Sequence, residues 1–436
     1  MERSYLARIL RVAEYFYAAL ALFALTQGPV YQLWKASSGW LETSPEPSIP
    51  HAYFATFVAV QMPALMLAFR GIRTSFFTQS SSLLLGLLVG WLSVTVAWST
   101  LARHSLPEAV ALVCTTVFGV YLVTRFSWAE RWRIIAAAMS FGLACSLFAI
   151  RREWKGAVNV KGDYWIGIYF NRNSLAPVAA IAFISAVAVI LTTPRVVRSK
   201  EVVTIGLGVV LALVAAFMLW RSESQTSPAA LLVACACVIL WWIIRRVSSG
   251  MMLTKSWWSP MVMSLMIIAV AVVVFLRSAS DVSVASAETA TFNSRGALWS
   301  MSWSAVQLKP WQGWGWLAAW HTPEFFVQGM WWTIWDTTWS HNGYHDVLLG
   351  GGVLAGALFV LYIVTSVRGI EKLDLSESSI RLLTAGFVLA AATQESFFIG
   401  SHFLWALLVA SLCVVEPRDV ALVEQQYPAK TSATTA

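Results

Sequence analysis

Charge is scarce in this sequence. Of its 436 residues, only 12% are Asp, Glu, Lys or Arg, about half the ~25% of an ordinary soluble chain. Hydrophobic residues reach 58%, and the mean hydropathy is +0.67. So few charges cannot cover so much apolar surface in water, which excludes a soluble globular fold. Disorder is excluded on the same ground. The pI of 9.4 and net charge of +8 do not call for nucleic acid, because basic loops at one membrane face account for them. Cysteine is also sparse. Cys114, Cys145, Cys235, Cys237 and Cys413 are odd in number and lie in apolar runs, which suits small packing residues better than disulfides or metal ligands. There is no P-loop, no Rossmann glycine pattern, no Gly-x-Ser-x-Gly and no His-Glu-x-x-His. No short apolar run ends in a small-residue cleavage site, so no removable signal peptide is expected.

What is present is a series of apolar runs. A bilayer core of ~30 Å takes about 20 residues of helix. That ruler predicts an all-α, polytopic integral membrane protein of about twelve transmembrane helices. They fall near 12–33, 51–69, 81–98, 107–125, 133–150, 174–194, 202–220, 228–244, 258–277, 346–367, 381–397 and 400–415. The chain then divides into spans 1–9 (1–277), a large outer loop with short helices (278–342), spans 10–12 (343–416) and a polar tail (417–436). With both termini in the cytoplasm, 19 of the 30 Lys and Arg residues face inward, as the positive-inside rule requires.

The outward basic residues are clustered. Arg151, Arg152, Lys155, Lys161 and Arg172 share one loop, and Arg277, Arg295 and Lys309 belong to the longest one. Snorkelling to headgroups is one use for the first three. Ten tryptophans, from Trp299 to Trp339, crowd the long loop. Two readings stay open for them: an interface belt, or flat faces for sugar rings. Spacing predicts a helix from Arg295 to Leu308 that ends at Lys309-Pro310, followed by a glycine-loosened loop at 312–316.

The outer polar residues form a candidate site: Asn171, Arg172, Asn173, Arg221, Ser222, Ser224, Arg295, His341 and Glu395. Arginine holds diphosphate oxygens in fork geometry and stays charged. His341 and His345 stand four apart beside Asp346. On a helix they share a face that suits a metal, but further ligands are not evident, so no metal is expected. The other reading makes His341 a base at a loop–helix junction. Glu395 sits in an apolar run and needs a partner.

At these residues the chain resembles the O-antigen ligase / O-antigen polymerase superfamily, nearest its exopolysaccharide polymerase branch. Leu92–Ser99 resembles a Ser-x-x-Trp-Ser segment, and Tyr169–Leu175 a Phe-x-(Lys/Arg)-Asn-x-Leu loop end. Ser222–Thr226 resembles a Ser-x-Ser-(Arg/Lys)-Thr turn, and Asn293–Trp299 a Gly-Arg-x-x-x-Trp segment. Ser340–Tyr344 resembles Ala-His-Asn-x-Tyr, and Thr393–Ser396 a late Thr-Glu-Ser. Gln225 stands where relatives carry a basic residue, with Arg221 four residues earlier as a replacement charge, and Ser340 stands in place of Ala.

The resemblance implies a membrane glycosyltransferase of the bacterial inner membrane, metal-independent and without a cofactor. Its donor is a glycan on a polyprenyl (undecaprenyl) diphosphate carrier, and its acceptor is a hydroxyl of another glycan or of lipid A core. Membrane lipids, a chain-length regulator and a flippase are the implied partners; nucleic acid is not. His341 then activates the acceptor or steadies the leaving group, and Arg295 binds diphosphate. Arg172, Asn173, Arg221, Ser222 and Ser224 line the donor site; Asn342, Tyr344 and Glu395 support it. Two alternatives are a transporter or flippase of lipid-linked sugars and a protein O-oligosaccharyltransferase.

Overall fold

The computed structural model describes residues 2–38, 51–71, 79–159, 161–194, 199–249, 291–322, 339–398 and 402–414. Among these residues the regular secondary structure is helical, apart from an isolated bridge between Val158 and Trp165. The helices are α1 (Glu2–Leu25), α2 (Gly28–Ser38), α3 (His51–Gly71), α4 (Ser80–Val94), α5 (Ala102–Arg125), α6 (Trp128–Arg151) and α7 (Arg172–Thr192). They continue with α8 (Ser199–Ser222), α9 (Thr226–Ser249), α10 (Thr291–Leu308), α11 (Gly343–Ile370), α12 (Leu375–Ala391) and α13 (Phe403–Leu412). One 3₁₀ turn, Thr95–Trp98, extends α4. Another, Ala319–His321, lies after α10.

Seven of the described helices are long and apolar enough to cross a membrane: α4 with its 3₁₀ turn, α5, α6, α7, α8, α9 up to Ile243, and α11. Ala55–Phe69 of α3 and α13 are apolar but shorter. The span expected at 258–277 and the tail at 417–436 lie outside the described residues. The first expected span is interrupted. α1 stops at Leu25, Gln27 takes a left-handed φ of 68°, and α2 begins at Gly28-Pro29. Proline in the first turn of a helix forfeits no hydrogen bond, so apolarity carries on through the break unseen. The eleventh expected span also ends early: α12 stops at Ala391, and Glu395 lies in the turn beyond it.

α10 ends at Leu308, where Lys309-Pro310 predicts an end. The glycine-loosened segment after it docks into a break in α11. Gly352 has φ 66° and ψ −166°, a region open essentially to glycine alone. The carbonyls freed by the break find partners in the loop and in α4. Leu349 O accepts from Trp314 N (2.7 Å), and Gly350 O accepts from Gly315 N (3.2 Å). Gly351 O accepts from the Trp91 indole (2.8 Å). In return, Val353 N donates to Pro310 O (2.7 Å). Irregular backbone at membrane depth persists where protein satisfies it in this way.

Polar groups sort to the two ends of the bundle. At one end Arg11 pairs with Glu14 and Glu130, and Arg125 pairs with Glu14. Glu377 there takes Arg381, with Arg131 3.8 Å away. The opposite end is built from the starts of α7, α9 and α11 and the finishes of α8 and α12.

Candidate active site

Asn342 caps α11, its side-chain oxygen accepting from Tyr344 N (3.0 Å) and His345 N (3.3 Å). An Asn at this position stops the helix one residue short of His341. His341 is therefore not on the helix; its φ is +50°. Ser340 braces that left-handed turn from both sides, its Oγ also accepting from Asn342 N at 3.1 Å. Ser340 Oγ donates to Asp346 Oδ1 at 2.6 Å, and Ser340 N donates to the same oxygen at 3.2 Å. The face-sharing expected of His341 and His345 is thereby corrected. His345 turns toward Trp299, ring centroids 6.4 Å apart, and His341 turns toward Glu395.

Four residues from four parts of the chain form one hydrogen-bonded series. His341 Nδ1 lies 2.9 Å from Glu395 Oε2. Asn173 Nδ2 donates to Glu395 Oε1 at 2.8 Å. Ser224 Oγ donates to Asn173 Oδ1 at 3.0 Å. Ser224 N in turn reaches Ser222 Oγ at 3.4 Å. Every donor and acceptor has one consistent assignment. A carboxylate only accepts, so Nδ1 is the nitrogen that donates here, and in the neutral ring Nε2 keeps its lone pair. Glu395 is buried, with a side-chain exposure of 10%; His341 keeps 22%. Its ring has Trp339 as a further neighbour, centroids 6.3 Å apart.

The sequence signals for these residues are local: a polar residue beside a span, or, for Glu395, an acid inside an apolar run. Ser340 and Asp346 were missed as a pair. The signal was a hydroxyl residue just before a helix cap with an acid six positions on. Ser340, read from sequence only as a departure from Ala, supplies the hydroxyl that fixes the turn.

The arginines are placed differently. Arg172 follows the Asn171 cap of α7, and its guanidinium lies over the Tyr164 ring at 4.8 Å. Arg221 lies over Trp165 at 4.9 Å, and its carbonyl accepts from Trp165 N at 2.8 Å. The two cations thus grip neighbouring aromatics of the 152–171 loop. Each stands one residue from a member of the series or its neighbour, Asn173 and Ser222. That loop is anchored by Tyr169: a Cβ on Gly28 would stand 2.6 Å from its ring, and one on Gly142 2.6 Å from its hydroxyl. Burial holds the Tyr169 phenol above its ordinary value. Arg295 lies in α10, and its side chain is outside the described set. Tyr344 donates to Leu389 O at 2.9 Å, joining α11 to α12 beneath the site.

The tryptophans divide into groups. Trp314, Trp316 and Trp320 are buried, a packing use that neither sequence reading covered, whereas Trp303 and Trp311 are exposed. Trp331, Trp332 and Trp335 lie outside the described residues. Next to Trp320, His321 packs on His104 with centroids 4.0 Å apart. Burial lowers the His321 pKa, which favours the neutral ring that such a contact needs.

Fold and site together define a polytopic helical membrane protein with a histidine–carboxylate pair at one end of its bundle. Residues 209–360, roughly a third of the chain, match the family model of the O-antigen ligases. This match supports the O-antigen ligase / O-antigen polymerase superfamily and a membrane glycosyltransferase of ligase or polymerase type. His341, Ser222 and Ser224 fall within it, while Asn173 and Glu395 fall outside. A comparison with curated proteins finds no match.

Proposed function

We propose that this chain transfers a glycan from a polyprenyl (undecaprenyl) diphosphate carrier to an acceptor hydroxyl, as an O-antigen or exopolysaccharide polymerase or an O-antigen ligase. The observation that carries the reading is the Ser224–Asn173–Glu395–His341 series. With Nδ1 committed to Glu395, Nε2 takes the proton of the acceptor hydroxyl as its oxygen attacks the anomeric carbon. The bond from that carbon to the diphosphate breaks, and the diphosphate stays on its lipid. Its growing charge needs fixed cations. Arg172 and Arg221 beside the series supply them, and Arg295 joins them through the sequence resemblance. The site faces the periplasm, with both termini in the cytoplasm. In this reading the 278–342 segment is the large outer loop of the chain. The acceptor decides between the two activities: a second lipid-linked glycan for a polymerase, lipid A core for a ligase.

The test is single-turnover transfer by purified protein given lipid-linked donor and either acceptor at saturation. A general base contributes roughly 10²–10⁴-fold. His341→Ala is expected to lose at least about two orders of magnitude, and His345→Ala to keep substantial activity. Equal, mild losses at both positions would overturn the catalytic reading of His341.

A further inference from the structure

The bundle carries a second candidate site, remote from His341. An apolar groove of about 460 Å³ runs between α6, α7 and α8, within the ~300–1,000 Å³ of small-ligand sites. On α6 it is lined by Arg133, Ala137, Ser140, Ala144 and Leu147, spacings that keep to one helix face. Their small central side chains leave the space open. Ala186 and Val189 of α7 line it from behind, and Leu207 and Leu211 of α8 from the far side. The seam between α7 and α8 is closed: a Cβ on Gly208 would stand 2.8 Å from Ile190. The groove therefore lies between α8 and α6.

Arg133 is the one charged side chain in this lining. It is exposed, and among the described residues it makes no ion pair. It stands near the start of α6, level with the finish of α7. Along α7, Val189 is sixteen residues from Asn173, or about 24 Å at 1.5 Å per residue. That is most of the ~30 Å hydrocarbon core. A headgroup at Arg133 thus lies in the leaflet remote from His341 and cannot present a diphosphate there.

We propose that this groove seats an acyl chain of an anionic phospholipid, with its phosphate on the Arg133 guanidinium. The fork of N–H donors matches phosphate oxygens. A phosphatidylglycerol-type headgroup brings net negative charge and no ammonium to oppose the arginine. Apolar walls accept the chain, and the charge sits at one end of the groove, as in the lipid itself.

The full-length protein, purified in detergent and offered equal phosphatidylglycerol and phosphatidylcholine, is examined by native mass spectrometry. Wild type is expected to retain phosphatidylglycerol about fivefold better, the factor one basic residue contributes near an anionic surface. Arg133→Gln should erase the preference while keeping the total number of bound lipids. Ala137→Phe and Ala144→Phe should lower retention of both lipids. Both alanines are exposed, so the added ring enters the groove and not the core, and the lipid-free melting temperature should hold. An unchanged preference in Arg133→Gln overturns the headgroup assignment. Unchanged retention in both Phe variants overturns the groove. Displacement of phosphatidylglycerol from wild type by a polyprenyl phosphate would give the groove to the donor chain and overturn the proposal.

Discussion

Glu395 Oε2 stands 2.9 Å from His341 Nδ1, across 54 residues of sequence. The carboxylate is itself held from behind by Asn173, so the imidazole has one orientation and one tautomer. In serine proteases, replacing the orienting carboxylate by its amide lowers turnover by ~10⁴. Glu395→Gln preserves shape but gives the side chain a donor that competes for Nδ1. Turnover is expected to fall at least about tenfold while the KM for lipid-linked donor stays near wild type. A change in KM alone would make Glu395 a binding or structural residue instead.

Much of this site is legible because polar residues beside or inside an apolar run are conspicuous. Asn173, Ser224 and His341 are conspicuous in this way, and Glu395 is conspicuous as an acid inside an apolar run. Their mutual bonds were not legible, since hydropathy reports depth and says nothing of which helix ends meet. The left-handed turn at His341 was hidden for a related reason: Asn342 is an ordinary cap signal, but the first helical residue depends on Ser340 and Asp346 together. The break at Gly352 was masked because glycine in an apolar run does not lower its hydropathy enough to end a span. The sequence places Arg172 and Arg221 at the donor site but does not show the rings both rest on, whose positions are set by the folding of the 152–171 loop.

Ser340→Ala removes the hydroxyl that bonds the buried Asp346. Leaving a buried acceptor short of a partner costs about 1–3 kcal/mol. A lower melting temperature is expected in detergent, together with reduced transfer, because the His341 turn loses its brace. Unaltered melting would show that Asp346 is satisfied without this contact.

Gly352→Ala should be more severe than most glycine changes. A Cβ there would stand 2.2 Å from Trp311 O, at a φ of +66°. The backbone region alone costs about 1–3 kcal/mol for other residues. Relief comes by releasing the 310–316 segment, so faster amide exchange at Gly313–Gly315 is the expected readout. Exchange as slow as wild type would mean that α11 yields and the loop does not.

Arg295→Lys keeps the charge but loses the two-pronged contact to phosphate oxygens. Most transfer activity is expected to go, in a purified assay that survives exhaustive EDTA treatment. Turnover near wild type in the lysine variant argues against a bidentate diphosphate role. Activity lost to EDTA and restored by Mg²⁺, Mn²⁺ or Zn²⁺ argues against metal independence.

The docking of residues 310–316 into the α11 break also bears on how the protein is made. The loop leaves the ribosome before residues 349–353, which carry the carbonyls and the amide it binds. Until α11 is in place, the Trp314 and Gly315 amides and the Pro310 carbonyl lack the backbone partners they have in the fold. Packing of α11 supplies those partners and satisfies the broken helix in the same act. Docking of the loop therefore reports that the late helix has arrived, and an undocked loop marks a chain whose biogenesis stopped short.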